Sequence, residues 1–288
     1  MKEKGKARKG RGLSVNRRDL LRGGAAGVAL SLLGARAARG QQRPRIVDLT
    51  VPIQSGMAGI PTVAFYTKYP VKVFAASVMN EQQRVFLQGQ GVEIDPNPEV
   101  RGSMNTVLTI SSHVGTHIDA PRHFFETATP VDEIPLDRIV MREAVVLDVS
   151  HLPPGAAVQA EHLERTGVKP RRDQIAVIKT LWTNRTWGKP EFWTQMPYLA
   201  PSVGDWILDK QVAAVAQDCF PEIPWFRGVP LKPEERAINH KKWLGNGIIM
   251  IQFLMNLDQM GDRFTLIALP LRLKGMDGSP ARVVGIKM

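Results

Sequence analysis

Residues Ser111–Phe124 read SSHVGTHIDAPRHF and contain three of the six histidines of the chain, with one aspartate among them. A helical face of the His-x-x-x-His kind is unfavourable here. Gly115 separates the first two histidines, and Pro121 biases the residue before it away from helical geometry. We therefore predict a strand that ends near Ser112, followed by a tight, extended turn.

An extended turn would bring its polar side chains together. His117 and Asp119 are two residues apart, so they point to the same side of an extended chain. Gly115 has the conformational freedom to let His113 fold back toward the same point. Two neutral imidazoles and one carboxylate suit a borderline divalent ion such as Zn²⁺ or Mn²⁺, with open positions left for water. The spacing therefore predicts a catalytic metal site on His113, His117 and Asp119.

His123 follows Asp119 by four residues and is placed to lie beside such an ion without binding it. An imidazole in that position can take a proton from water and later give it to a leaving nitrogen or oxygen. The alternative is a set of structural histidines with His123 on the surface. Four such residues at this spacing favour an active centre instead.

The net charge of the 288-residue chain is informative only once it is located. The formal charge is +11, but residues 1–37 hold ten Lys and Arg against two acidic residues and account for +8 of it. The remaining +3 gives little support to a nucleic-acid partner, which a strongly basic protein would otherwise suggest.

Residues 1–37 have the layout of an export signal. A basic segment containing Arg17 and Arg18 precedes the apolar stretch Gly23–Leu33, and Ala35-Arg36-Ala37 follows as a small-x-small cleavage site. The arginine pair resembles a twin-arginine signal, which predicts a periplasmic protein exported by the twin-arginine machinery. The stretch is too short to span a bilayer, so no stable membrane anchor is expected. The alternative is a disordered basic tail with a chance arginine pair.

Residues 44–288 are interpreted as one domain. Short runs rich in Val, Ile and Leu, bounded by Pro, Gly or Asp, predict strands. These runs are Arg45–Val51, Thr106–Ser112, Ala144–Val149, Ile175–Lys179, Val212–Ala216, Ile248–Gln252, Phe264–Leu273 and Arg282–Ile286. A capping box starting at Ser202 predicts one helix, and a second is expected near Glu161 to Thr166. Alternating helices and strands indicate a mixed α/β fold.

The pattern His-x-Gly-Thr-His-x-Asp-x-Pro-x-His resembles the signature of the cyclase-like metal hydrolases, which include bacterial kynurenine formamidase and isatin hydrolase. The segments Val47–Pro52, Val212–Asp218 and Leu266–Arg282 resemble further blocks of that family. The resemblance implies a single mixed-sheet domain of the swivelling β/β/α type, a homodimer and a small-molecule substrate. It also implies that His113, His117 and Asp119 bind metal and that His123 transfers protons.

The family also places a His and, 12 residues later, a Glu in its C-terminal half. Here His240 stands at the first position, but Gln252 replaces the Glu. With Asp119 as the one carboxylate that the sequence identifies nearby, the repulsion between two close divalent ions would be poorly offset. We therefore predict one ion. Gln252 is then a fourth ligand or a hydrogen-bonding neighbour, and His240 orients water or substrate.

These features together predict hydrolysis of a non-peptide amide, either a cyclic amide or an N-formyl arylamine. A lactone or another ester is the alternative substrate, because both reactions pass through the same tetrahedral oxyanion. A different class, an exported metal- or ligand-binding protein without turnover, is kept open by Gln252. His123 argues against it, because a binding module needs no base beside its ion.

Overall fold

The computed structural model describes residues 43–54, 57, 72–76, 85–86, 88–91 and 105–287. The predicted export leader, residues 1–37, lies outside them. Residues Pro44–Met288 form one compact unit, which is a mixed α/β domain as the sequence predicts. Among the described helices, none has the length and apolar character needed to cross a membrane.

Most strands of the domain belong to one large sheet. The described strands are β1 Arg45–Asp48, β2 Lys72–Ala76, β3 Asn105–Thr109, β4 His117–Asp119, β5 Arg142–Asp148, β6 Ala157–Val158, β7 Ile175–Lys179, β8 Tyr198–Leu199, β9 Ala214–Gln217, β10 Ile249–Gln252, β11 Arg263–Pro270 and β12 Gly278–Lys287. The large sheet has the order β1-β12-β11-β5-β7-β9-β10-β4, and β2-β3 and β6-β8 form separate pairs.

Strand β4 closes the large sheet into a barrel-like arrangement. It pairs antiparallel with β10 through Gln252 opposite His117, and antiparallel with the start of β12 through Gly278 opposite Asp119. The three residues of β4, His117–Asp119, are therefore paired on both edges and form the seam at which the sheet closes.

Helices cover the outside of this sheet. The α-helices are α1 Ala160–Glu164, α2 Trp182–Thr186, α3 Glu191–Thr194, α4 Pro201–Lys210 and α5 Ile238–Gly245. Successive residues of a strand point to opposite faces. Accordingly, Val146 of β5 belongs to the apolar cluster inside the sheet, whereas Leu147 belongs to the outer cluster, where Ile207 of α4 and Trp243 of α5 pack. Burial on both faces explains why β5, β7, β9 and β10 read as nearly continuous apolar runs.

The eight predicted strands are all present, with ends shifted by a few residues. The predicted capping box is wrong, because α4 begins at Pro201 and receives no side-chain cap. The Ser202 hydroxyl instead accepts the Ala160 N–H and donates to Gln159, which ties α4 to the start of α1. The predicted turn after Ser112 contains β4, whose double pairing could not be inferred from three residues.

Candidate metal centre

Strand β4 presents His117 and Asp119 on one face and buries Ile118 on the other. The side chain of Asp119 has no exposed surface, and His117 is 3% exposed. Cross-strand pairing places Gln252 of β10 directly opposite His117, and Gln252 is also buried. The two-residue alternation expected from the sequence is therefore what directs both side chains into one pocket.

The turn before β4 brings His113 to the same point. His113 Nδ1 lies 2.7 Å from Asp119 Oδ1, and His117 Nε2 lies 3.1 Å from the same oxygen. The carbonyl of Gly115 lies 2.8 Å from His117 Nδ1 and can accept its proton, which leaves Nε2 free to act as a ligand. Ligand atoms of the three side chains all lie within 4.8 Å of one another.

Gly115 and Thr116 hold the turn in shape. Gly115 has a φ of +61°, and a Cβ there would lie 3.1 Å from Val51 Cγ2, so the position favours glycine. The Thr116 hydroxyl donates to the carbonyl of Phe253 at 2.7 Å and accepts the N–H of Val51 at 2.9 Å. The turn is thereby fixed to the residue that follows β10 and to the segment that follows β1.

His123 ends the short 3-10 helix Pro121–His123 and lies beside the cluster. Its ring centroid is 4.0 Å from that of His113, and its Nδ1 is 3.3 Å from Asp277 Oδ2. Burial lowers the pKa of His123, although Asp277 acts in the opposite direction. A lowered pKa keeps the imidazole neutral near pH 7, which is the form that accepts a proton.

Asp277 joins the cluster although its contacts could not be predicted from the sequence. Its Oδ2 lies 2.8 Å from His113 Nε2, and its Oδ1 accepts the Ser112 hydroxyl at 3.1 Å. Hydrogen bonds from His113 and His123 hold the pKa of Asp277 far below its usual range. The available signal was its position inside the family-like block Leu266–Arg282, directly before Gly278.

His240 approaches Asp119 from helix α5. Its Nε2 lies 3.3 Å from Asp119 Oδ2, while its Nδ1 lies 2.8 Å from Glu222 Oε1. Glu222 also accepts the backbone N–H groups of Asn239 and His240, which fixes its carboxylate at the start of the helix. Glu222 is a further acidic residue beside the cluster, and no motif in the sequence indicates it.

Gln252 donates its amide N–H to Asp119 Oδ2, and its Nε2 also lies 3.2 Å from His240 Nε2. In this orientation the amide is hydrogen-bonded to the carboxylate, and its role as a ligand or as a neighbour of the ion stays a prediction.

The buried Asp119 carboxylate is balanced by imidazoles. Among the described residues, no Lys or Arg forms an ion pair with it. Burial opposes ionisation of the Asp119 carboxyl, but His117 and His113 hold its pKa well below the usual range. Burial also opposes the charge on His113, yet Asp119 and Asp277 raise its pKa to about 10. Asp119 and Glu222 raise the pKa of His240 to about 9 in the same way.

A divalent cation would supply this positive charge directly. The donor set, two imidazole nitrogens and one buried carboxylate that share one pocket, is chemically suited to such an ion.

Comparison with known proteins assigns the family. Residues 47–221 match the Cyclase family model, described as “Putative cyclase”. Kynurenine formamidase from Bacillus cereus (strain ZK / E33L) is 31% identical over 195 residues, which are 67% of this chain and 85% of that protein. This chain belongs to the cyclase family.

Solved structures share the fold of this cyclase-family chain. An isatin hydrolase bound to the product analogue thioisatinate superposes with a TM-score of 0.67 at 20% identity, covering 91% of this chain and 98% of that one. Isatin hydrolase A from Labrenzia aggregata, bound to benzyl benzoate, gives a TM-score of 0.66 at 21% identity and covers 89% of this chain and 99% of that one. The predicted fold class is confirmed.

The structure brings every predicted site residue of this cyclase-family chain into one cluster. The predicted residues were His113, His117, Asp119, His123, His240 and Gln252. Their individual roles as ligands or proton-transfer groups remain predictions. Asp277 and Glu222 are the additions, and both act by contacting imidazoles of this set.

Proposed function

We propose that this protein is a metal-dependent hydrolase that cleaves a cyclic amide or an N-formyl arylamine. The observation that carries the proposal is the buried, convergent set of His113, His117 and Asp119 with His123 directly beside it. The kynurenine formamidase relatives support hydrolysis of a carbon–nitrogen bond other than a peptide bond, as the sequence predicts.

His113, His117 and Asp119 would hold one Zn²⁺ or Mn²⁺. Such an ion lowers the pKa of a water molecule bound to it and polarises a carbonyl oxygen. The protein's own contribution is to fix the donors. His117 is oriented by the Gly115 carbonyl, and Asp119 is held by the double pairing of β4. Hydrogen bonds of this kind set the tautomer and direction of a ligating imidazole.

Gln252 supports one ion rather than two. Its N–H is directed at Asp119 Oδ2, the carboxylate oxygen that also faces His240. A neutral donor at that oxygen adds no negative charge for a second cation. Glu222 is occupied by His240 and by two backbone N–H groups, so it stabilises α5 rather than offering a free carboxylate. Asp277 lies on the other side of the cluster, against His113 and His123.

His123 would move the proton during hydrolysis. If its Nδ1 donates to Asp277, its Nε2 is the unprotonated atom that takes a proton from attacking water. The same atom would then return the proton to the leaving nitrogen. Asp277 is the positioning group in this scheme, because it fixes the tautomer of His123 and contacts His113 at the same time.

Aromatic rings next to the cluster support a planar aryl substrate. Phe124 is 37% exposed, and its ring centroid lies 4.8 Å from that of His123 and 5.1 Å from that of His240. The ring centroid of Phe253 lies 5.8 Å from that of His117 and 5.6 Å from that of Trp193. The partly exposed ring of Phe124 suits stacking with an aromatic amide, and the buried ring of Phe253 adds an apolar wall beside His117.

Substrate class is tested by assaying the purified protein, loaded with Zn²⁺ or Mn²⁺, on three compounds. These are an isatin-like lactam, an N-formyl arylamine and an aryl lactone of similar size. Turnover of either nitrogen compound above the lactone supports the proposal. Preference for the lactone would assign an esterase activity to the same groups, and no turnover of any compound would favour a metal- or ligand-binding protein.

We also propose that the protein is exported by the twin-arginine pathway, on the basis of Arg17, Arg18 and the segments that follow them. Replacing both arginines with lysine should retain the protein in the cytoplasm, which cell fractionation would detect. The family resemblance supports a homodimer, and light scattering coupled to size-exclusion chromatography tests that separately.

A further inference from the structure

A second cleft lies at the end of the sheet opposite the candidate metal centre. Strands β5, β7, β9 and β10 run parallel to one another. The metal centre includes Gln252 at the C-terminal end of β10, whereas this cleft is lined by residues at or just before the N-terminal ends of the four strands. Its volume is about 440 Å³, which is in the range of small-molecule sites.

Three arginines line this cleft, and their donors are only partly used. Arg138 donates to the carbonyl of Ala213 at 3.0 Å, but its buried Nε makes no hydrogen bond. Arg142 lies 3.6 Å from the Asp137 carboxylate. Arg172 has no ion-pair or hydrogen-bond partner for its side chain among the described residues. Arg172 therefore presents unpaired N–H donors to the cleft, whereas Arg138 and Arg142 add positive charge to its lining.

The balance of charge in the cleft favours an anion. Asp137 is paired with Arg142, so Asp173 is the remaining carboxylate that opposes Arg138 and Arg172. Gln211 also lines the cleft, in the left-handed conformation with φ +49° that ends α4. A guanidinium with free N–H groups matches a carboxylate or phosphate in geometry and charge.

We propose that this cleft binds a small organic anion carrying a carboxylate or phosphate group, independently of the metal centre. Its volume exceeds what one inorganic ion fills, which is why an organic anion is specified. Arg172 supplies the charged hydrogen bonds, and Arg138 and Arg142 contribute positive charge beside it.

Isothermal titration calorimetry on the full chain tests this with citrate, malonate and glycerol 3-phosphate, each against sodium chloride of equal ionic strength. Saturable binding of at least one organic anion, beyond the chloride control, is expected. The Arg172→Glu variant should weaken it by about tenfold or more, because it replaces attraction with repulsion. Arg171→Glu is the matched control, since Arg171 pairs with Glu143 and does not line the cleft.

The His117→Ala variant separates this cleft from the metal centre, and it should bind the anion as the unaltered protein does. Three results would overturn the proposal: binding no stronger than the chloride control, equal binding by the Arg172→Glu variant, or loss of binding in the His117→Ala variant. The last would place the anion at the metal centre. Hydrolysis by Arg172→Glu should be unchanged in the absence of added anion, which also excludes misfolding as the cause of lost binding.

Discussion

His123 and Asp277 are the two residues on which the proposed proton transfer depends. Their contact of 3.3 Å joins a 3-10 helix just after β4 to the residue just before β12. The carboxylate directs the imidazole, and burial keeps the imidazole neutral. Neither residue is one of the predicted ligands, so each can be replaced while His113, His117 and Asp119 are kept.

Replacing His123 with Ala should lower kcat by about 10²- to 10⁴-fold, the usual contribution of a general base. Metal content should stay unchanged, because His123 is not a predicted ligand. Mass spectrometry of bound metal and steady-state kinetics measure the two quantities. His151→Ala, which removes an exposed imidazole, is the control. Unchanged hydrolysis would remove His123 from the mechanism.

Replacing Asp277 with Asn should lower kcat by roughly 10- to 100-fold, the usual effect of losing a carboxylate that orients an active-site imidazole. The side chain keeps its size but loses its charge, so KM should change little if Asp277 positions His123 rather than substrate. Kinetics with bound-metal analysis distinguishes this from ligand loss, and Asp205→Asn on the exposed face of α4 is the control. A change confined to KM would contradict the positioning role.

Gly278, at the start of β12, packs closely against the predicted ligand His113 and against strand β4. A Cβ at Gly278 would lie 2.7 Å from His113 Cε1 and 2.8 Å from the Ile118 carbonyl, which is backbone and cannot move aside. Alanine there should therefore destabilise the fold by about 1–3 kcal/mol and weaken metal binding. Urea unfolding and metal titration measure both effects.

Gly261→Ala is the matched control for Gly278, since the nearest atom to its added Cβ is 4.0 Å away on the flexible Lys287 side chain. It should have little effect on either measurement. Equal stability to urea and equal metal affinity in the two variants would show that His113 is not constrained by the start of β12.

Asp218 connects β9 to the start of α2. Its carboxylate accepts the N–H and hydroxyl of Thr180 and the N–H of Leu181, with no exposed surface. Burial raises the pKa of Asp218 to about 6, despite these donors. Because the folded protein then holds this proton more tightly than the unfolded chain, Asp218 stabilises the fold at low pH. That contribution is lost as the pH rises through about 6.

The stability difference between the unaltered protein and Asp218→Asn should therefore grow by up to about 3 kcal/mol as the pH falls from 7 to 4, since one pKa unit corresponds to about 1.4 kcal/mol. The variant does not titrate, so other groups cancel in the comparison. At pH 7 the asparagine should still cost about 1–3 kcal/mol, because its N–H₂ would face backbone donors. Urea unfolding across this range tests it, and a constant difference would show an ordinary pKa.

For the whole molecule, the sequence predicted the elements better than their connections. Buried runs such as Ile175–Lys179 are read directly from composition, because a strand covered on both faces is apolar throughout. The signature around His117 predicted which polar side chains meet, since alternation along an extended chain is local. The features that could not be predicted are contacts between residues far apart in the chain. The pairing of β4 with two strands depends on residues more than 130 positions away.

Asp277 and Glu222 show the same limit for the site. Each contacts an imidazole that is 18 or more residues away in the chain, so no spacing within a motif indicates it. The sequence identifies Asp119 as the one carboxylate nearby, whereas the folded chain places Asp277 and Glu222 beside the same imidazoles. Gln252 remains the informative departure, because its amide donates to Asp119 at the oxygen nearest His240.

Stability of the whole domain should depend on one divalent ion per chain. Asp119 and His117 lie on the strand that closes the sheet, so an ion bound to them links the seam to the turn that carries His113. Ligand binding to the folded state alone stabilises it by about 2.7 kcal/mol at 100 times Kd. For a domain of this size, 1 kcal/mol corresponds to roughly 2–4 °C, so chelation should lower Tm by about 5–10 °C.

Calorimetry before and after chelation, with Zn²⁺ or Mn²⁺ added back and Mg²⁺ as control, measures the shift, and elemental analysis gives the stoichiometry. Mg²⁺ should restore little, because it prefers oxygen donors and this set contains two imidazoles. His117→Ala should abolish the response, since it removes a ligand from the closing strand. Two ions per chain would contradict the role given to Gln252. An unchanged Tm would show that no ion bound at β4 stabilises the fold.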